Sequence, residues 1–188
     1  KLLDNGISNF KVFSIEPTDY AFDKQIKNIQ LNPKLEKKIS NYKMFISSKK
    51  KNISKVFSSW KLDSNENQHN KHGGILKKID KNIEIISLDE FIKKNEIKEK
   101  IIIKIDVDGY EIDVINSLKE TLTKMSPIIF MEYAPYALVE HGYSVDELYI
   151  FLKKFDYEIY DLKFKKLNKI NISDGSSKDI VLIRNKQI

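Results

Sequence analysis

The acidic residues of this chain gather where apolar runs stop. Glu16 closes KVFSIE, Asp106 and Asp108 follow the isoleucines of IIIKIDVDGYE, and Glu132 stands near the end of PIIFMEY. In open α/β sheets ligands bind outside the carboxyl ends of the strands, so these positions are where chemistry is expected. A carboxylate ending the second strand of a nucleotide-binding unit can accept both ribose hydroxyls. Glu16 suits that role, and equally that of a solvated turn residue before Pro17. Asp106 is a poor strand residue unless it faces a pocket or caps a turn. Gly109 permits a positive φ or the close approach of a ligand to the backbone, and Asp108 can cap the helix that follows. Glu132 can share a cleft with Asp106 as a paired carboxylate for proton transfer or metal binding, or sit on the rim in a salt bridge. His141, in EHGYS, is a candidate general base because imidazole titrates near neutrality; the bland alternative is a surface histidine. His69 and His72 lack partners at ligand spacing, so no zinc site is expected.

The elements that must position these groups are legible from periodicity. Lys11–Glu16 alternates and reads as a strand, stopped by Pro17. Thr18 or Asp19 caps a helix reaching about Leu31, which Asn32-Pro33 ends. Asn41–Ser47 reads as a strand and Ile53–Trp60 as its hairpin return. Asp63–Gly74 is a long polar loop, of the kind that serves as a lid or stays disordered. Ile83–Ser87 is a short strand, and Leu88–Asn95 a helix started by Ser87 or Asp89. Ile101–Ile105 reads as a buried strand of a parallel sheet. Glu111–Leu122 follows as one helix, with Ile112, Ile115, Leu118 and Leu122 at helical spacing. Pro127–Tyr133 is a further buried strand. Ser144–Phe155 is a helix opened by a capping box with Glu147. Asp156–Leu162 and Lys178–Arg184 form a terminal strand pair. Strands alternating with helices imply an α/β fold, its sheet mainly parallel, in one domain over residues 1–188.

Bulk properties narrow the partners. A chain of 188 residues, 41% hydrophobic and 32% charged, has the balance of a soluble globular domain. It has no cysteine, which excludes disulfides and thiolate metal sites. The net charge of +6 comes from lysine, with Arg184 the only arginine. Readers of bases and phosphates lean on arginine, so nucleic acid is not expected as a partner. No apolar run has membrane-spanning length and no signal peptide is visible, so neither a membrane partner nor export is expected, and the location is read as cytoplasmic. The chain opens on Lys1, inside what reads as the end of a helix stopped by Asn5-Gly6, so an upstream piece is expected.

Several of these stretches occur in one order. VFSIEP (Val12–Pro17), NIQLNP, SLDEFI (Ser87–Ile92), IKIDVDGYEIDVINSLKETL (Ile103–Leu122) and PIIFMEY (Pro127–Tyr133) together resemble the FkbM-type family of S-adenosylmethionine-dependent methyltransferases. The resemblance covers most of Val12–Leu162, and the KIDVDG block is its most specific part. It implies a Rossmann-like class I methyltransferase sheet, mainly parallel with an antiparallel terminal strand, and with the first strand and glycine-rich loop absent. The absent strand would lie between the Val12 and Ile103 strands, so poor cofactor binding is expected of this piece alone. The resemblance further implies S-adenosylmethionine as cofactor and O-methylation of a hydroxyl, often on a sugar or similar small metabolite. Glu16 would hold the cofactor ribose. Asp106, with Asp108 and Gly109, would lie at the methionine end of the cofactor, although Asp108 stands where the family usually has glutamate. Asp106 or His141 would take the acceptor's proton with Glu132 nearby, and a metal route ranks below this. Other readings are a nicotinamide oxidoreductase, which would need GxGxxG after a first strand, and a non-catalytic binding domain of the same fold.

Overall fold

The computed structural model describes residues 6–49, 55–58, 75–78, 83–173 and 175–185, with the backbone alone for 55–58 and 75–78. The chain begins with β1 (Val12–Ile15), α1 (Asp19–Gln30), α2 (Pro33–Glu36) and β2 (Ile39–Tyr42). Next come β3 (Met44–Ile46), β4 (Lys55–Ser58), β5 (Ile75–Lys78), β6 (Glu84–Ile86) and α3 (Leu88–Lys94). The remainder holds β7 (Ile102–Ile105), α4 (Glu111–Asn116), α5 (Lys119–Lys124), β8 (Ile128–Tyr133), α6 (Pro135–Glu140), α7 (Val145–Phe155), β9 (Tyr157–Tyr160), β10 (Lys166–Leu167) and β11 (Lys178–Arg184). The expected loop Asp63–Gly74, with His69 and His72, lies outside the described residues. None of the described helices is long and apolar enough to cross a membrane.

Two units divide the chain. One is built on β1, α1, α2 and β2; the other combines Ile46–Lys50 with Phe57–Ile75 and Ile86–Ile188. In the first, β1 and β2 pair in parallel with Val12 opposite Ile39 and Ile15 opposite Tyr42. The 12 residues of α1 make the crossover that a parallel pair requires. In the second, five strands lie in the order β10-β9-β11-β8-β7. Strands β7 and β8 are parallel, and β11 runs antiparallel to both β8 and β9. It follows that β7, β8 and β9 share one direction. The C-terminal strand is reversed, as expected, and is slotted between β8 and β9.

Alternation along β8 gives this sheet two different faces. Ile129, Met131 and Tyr133 are at most 1% exposed, and Ile180 and Leu182, opposite Met131 and Ile129 on β11, are fully buried. Each such side chain contributes about 1.5–3 kcal/mol of burial, and this face is the core. The other face carries a smaller apolar cluster, in which Ile128 and Phe130 pack on Tyr160, Val181 and Ile183.

Four local expectations are corrected. Strand β7 is not uniformly buried: Ile105 is 2% exposed but Ile102 is 70% exposed. Among the described residues it has a neighbour only on the β8 side, so its margin stays open. The helix expected over Glu111–Leu122 breaks at Ser117, whose hydroxyl donates to the Val114 carbonyl at 2.6 Å and accepts the Leu88 N–H at 3.1 Å. The new helix, α5, starts under Asp89, which accepts the N–H groups of Glu120 and Thr121 at 2.9 and 2.8 Å. Asp89 therefore caps α5, while α3 is opened by a Ser87–Glu90 capping box. The stretch Asn41–Ser47 is not one strand with a hairpin return. It is divided between β2, paired with β1, and β3, paired with β6, while β4 pairs with β5. Lastly, Asp108 does not cap α4: the N-cap position is Tyr110, and no side chain caps it. The capping box at Ser144 and Glu147 is present as expected.

Candidate active site

The parallel register of β7 and β8 brings two carboxylates together. Ile102 lies opposite Ile128, Lys104 opposite Phe130 and Ile105 opposite Met131. One step past the ladder, Asp106 falls level with Glu132. Alternation places Asp106 on the face of Lys104, and Glu132 on the same face of the sheet beside it. Asp106 is close enough to raise the proton affinity of the Glu132 carboxyl. Lys104 forms an ion pair with Asp106 Oδ2, and Ser177 donates its hydroxyl to Glu132 Oε1 at 2.5 Å. Asp179 on β11 lies opposite Glu132 and adds a third negative charge.

This arrangement sets the proton affinity of Glu132. The Ser177 hydrogen bond pulls its carboxyl down, but burial and the neighbouring carboxyl groups of Asp106 and Asp179 outweigh that pull. Glu132 is held above the ordinary carboxylate range. A carboxyl with raised proton affinity beside a second carboxylate is suited to general-base work. Asp106 is the outer member: its side chain is about half exposed, while Glu132 is half-buried.

The turn from β7 into α4 is gripped on both sides. Asp108 and Gly109 adopt left-handed φ values of 47° and 101°. The His141 ring nitrogen Nε2 lies 3.2 Å from the Asp108 carbonyl, which can only accept, so Nε2 carries the proton and donates. The ring packs on Tyr110 with centroids 4.1 Å apart. Burial lowers the affinity of His141 for a second proton, against smaller opposing effects of the Asp108 carbonyl and the charges of Glu140 and Asp108. With Nε2 committed, His141 can act as a base only through Nδ1. Gly109 leaves no room for a side chain, since a Cβ there would stand 2.4 Å from His141 Cδ2 and 2.8 Å from the Ala137 carbonyl oxygen. What crowds this glycine is therefore α6, not an open cradle for a ligand.

Glu111 closes the KIDVDGYE block, but nothing in that pattern assigns it a role. It is the first residue of α4 and is 1% exposed. Its Oε1 accepts the Gly109 N–H at 3.1 Å, and its Oε2 is buried without a hydrogen-bond partner. Burial raises its pKa to about 7, the backbone N–H groups of Glu111 and Gly109 lower it, and the charges of Asp108 and Glu132 raise it further. An acid in the first turn of a helix reads ordinarily as a favourable partner for the helix dipole. Only burial distinguishes this one, and burial is a property of the packed fold.

Glu16 belongs to the other unit and is taken by itself. It follows β1 directly, and its N–H donates to the Tyr42 carbonyl at 3.1 Å, extending the parallel ladder. Its Oε1 accepts both the N–H of Thr18 at 2.8 Å and the Thr18 hydroxyl at 2.5 Å. One carboxylate oxygen therefore shapes the turn into α1, and Oε2 is the oxygen available for a diol. Among the described residues no group of three or more His, Asp or Glu side chains is placed to hold a metal ion.

Comparison with known proteins bears on the same residues. The crystal structure of a methyltransferase FkbM from Methylobacillus flagellatus KT superimposes with a TM-score of 0.55 and 12% identity. The match covers 96% of this chain and 38% of that one, so this chain spans well under half of its structural relative. At that identity the likeness is one of fold. No curated protein matches the chain. The family model described as the methyltransferase FkbM domain matches residues 6–159, a span that holds Glu16, the Asp106–Gly109 turn, Glu111, Glu132 and His141. With most of its length inside that match, the chain belongs to the FkbM methyltransferase family.

Proposed function

We propose that the chain is the catalytic part of an S-adenosylmethionine-dependent methyltransferase that methylates a hydroxyl on a sugar or similar small metabolite. The observation that carries this reading is the Asp106–Glu132 pair, two carboxyl groups brought level at the carboxyl ends of adjacent parallel strands. The donor set suits the cofactor's chemistry. S-adenosylmethionine is cationic at its sulfonium and ammonium groups, which favours a carboxylate-lined site. Its ribose diol is a partner for a carboxylate oxygen such as Glu16 Oε2. When bound, the cofactor supplies an already activated methyl group.

The chain's own residues then align the acceptor and handle its proton. Asp106 is the group placed to take the acceptor's hydroxyl proton, and Glu132, beside it and held by the Ser177 hydroxyl, is its neighbour on the same face. Lys104 holds the Asp106 carboxylate in place from the same face. His141 is the less suited base, because its Nε2 is already bound to Asp108. A glycan or small-molecule hydroxyl is the acceptor class this site can serve.

The test is transfer of labelled methyl from S-adenosylmethionine to a panel of carbohydrate hydroxyls by the wild-type protein and by Asp106→Asn and Glu132→Gln. Loss of a general base costs on the order of 10²–10⁴-fold in turnover. Asp106→Asn is expected to fall in that range, with turnover cut much more than cofactor affinity. Equal turnover in Asp106→Asn would move the chemistry to other residues.

A further inference from the structure

We infer that Glu111 is a positioning residue: its buried carboxyl holds the Asp108–Gly109 turn from inside and so fixes where Asp106 presents its carboxylate. The functional part of this inference rests on the methyltransferase reading above; the structural part does not.

The turn is not one the backbone adopts unaided. Asp108 is a non-glycine residue at φ 47°, and Gly109 sits at φ 101°, where only glycine is comfortable. Such a turn persists when its surroundings over-determine it. On the outer side, His141 Nε2 donates to the Asp108 carbonyl, and the Ala137 carbonyl and the His141 ring close on Gly109. On the inner side, the described contact is the Gly109 N–H donated to Glu111 Oε1 at 3.1 Å. Remove that acceptor and a buried N–H is left unpaired directly beside the turn.

The chemistry of the side chain argues for more than simple capping. One acceptor atom would satisfy Gly109, yet position 111 holds a carboxyl whose second oxygen, Oε2, is buried and unpartnered. An orphaned polar atom in the interior is costly and calls for a reason. The groups facing Glu111 electrostatically supply one. They are Asp108 in the turn, Glu132 and Tyr133 on β8 and Tyr136 on α6. Burial first, and then the charges of Asp108 and Glu132, bring Glu111 to the edge of ionisation at neutral pH. When Glu132 is protonated, Glu111 is freer to ionise, and a carboxylate accepts the Gly109 N–H more strongly than a neutral acid does. The grip on the turn is thereby coupled to the charge of the carboxylate pair it positions.

The test uses Glu111→Gln, which keeps an acceptor for Gly109 but cannot ionise, and Glu111→Leu, which keeps only bulk. In amide NMR spectra of the wild-type chain, the Gly109 signal should move with pH along a curve centred near 7. In Glu111→Gln it should stay still across that range, and in Glu111→Leu it should be displaced at every pH. Methyl transfer is measured alongside. Glu111→Gln should keep most of the wild-type kcat, whereas Glu111→Leu should lose about ten- to a hundredfold in kcat with little change in KM, as for a displaced reacting group. A Gly109 signal that neither titrates in the wild type nor moves in either variant overturns the inference, whatever the activity. A signal that behaves as expected in a full-length protein that transfers no methyl upholds the role of Glu111 in the turn and overturns the methyltransferase reading instead.

Discussion

Replacing Glu111 by glutamine should change how stability depends on pH. In the folded chain the Glu111 carboxyl has a pKa of about 7, against an ordinary value of 4.5 in the unfolded chain. Between those values the folded state binds more protons than the unfolded one, so stability falls as pH rises. The contribution of the neutral acid is fully present below pH 4.5 and is gone once pH has passed through about 7. With roughly 1.4 kcal/mol for each tenfold difference in proton affinity, the whole effect is about 3 kcal/mol, most of it falling between pH 5 and 8. Glutamine has no such proton. Relative to wild type, Glu111→Gln should therefore gain about 2–3 kcal/mol of stability on going from pH 5 to pH 8. Urea unfolding of both proteins at several pH values measures this, and the difference reports Glu111 together with its coupling to Asp108 and Glu132. A stability difference that stays flat across the range would refute the reasoning, since it would mean that Glu111 ionises alike in both states.

Two further substitutions probe the frame around the site. Gly109→Ala should destabilise the chain by about 2–4 kcal/mol, because the methyl meets the Ala137 carbonyl at 2.8 Å, a backbone atom that cannot swing aside, at a φ of 101°; a thermal melt within a degree of wild type would contradict this. Asp89→Ala removes the acceptor for two N–H groups at the start of α5 and for the Thr121 hydroxyl. A cost of about 1–2 kcal/mol is expected, with amide exchange accelerated first at Glu120 and Thr121.

The carboxylate pair was legible because two simple rules meet there. Apolar runs at Ile101–Ile105 and Pro127–Tyr133 mark adjacent parallel strands, and Asp106, just past the first, and Glu132, next to last in the second, lie toward the carboxyl edge of the sheet. The register then places Asp106 beside Glu132. What periodicity did not reveal depends on partners distant in sequence. The break at Ser117 depends on hydrogen bonds to Leu88 and Val114, and the start of α5 on Asp89, 31 positions from Glu120. Helical spacing of Ile112, Ile115, Leu118 and Leu122 runs straight through that break, because both short helices turn the same apolar side inward. Asp108 follows a capping pattern, but the left-handed turn moves the N-cap on to Tyr110. Ile102 is apolar yet open to solvent, since strand composition says nothing about how many neighbours a strand has. The lone arginine, Arg184, proves to be structural, donating to the Thr123 carbonyl at 3.2 Å and to Ser126 Oγ at 2.9 Å.

The proposal that this carboxylate-lined strand edge takes S-adenosylmethionine can be tested by titrating the full-length protein with that compound while following its amide NMR signals. Saturable shifts are expected at Asp106, Gly109 and Glu132, with NAD leaving those signals in place. Saturation with NAD and no response to S-adenosylmethionine would contradict the account.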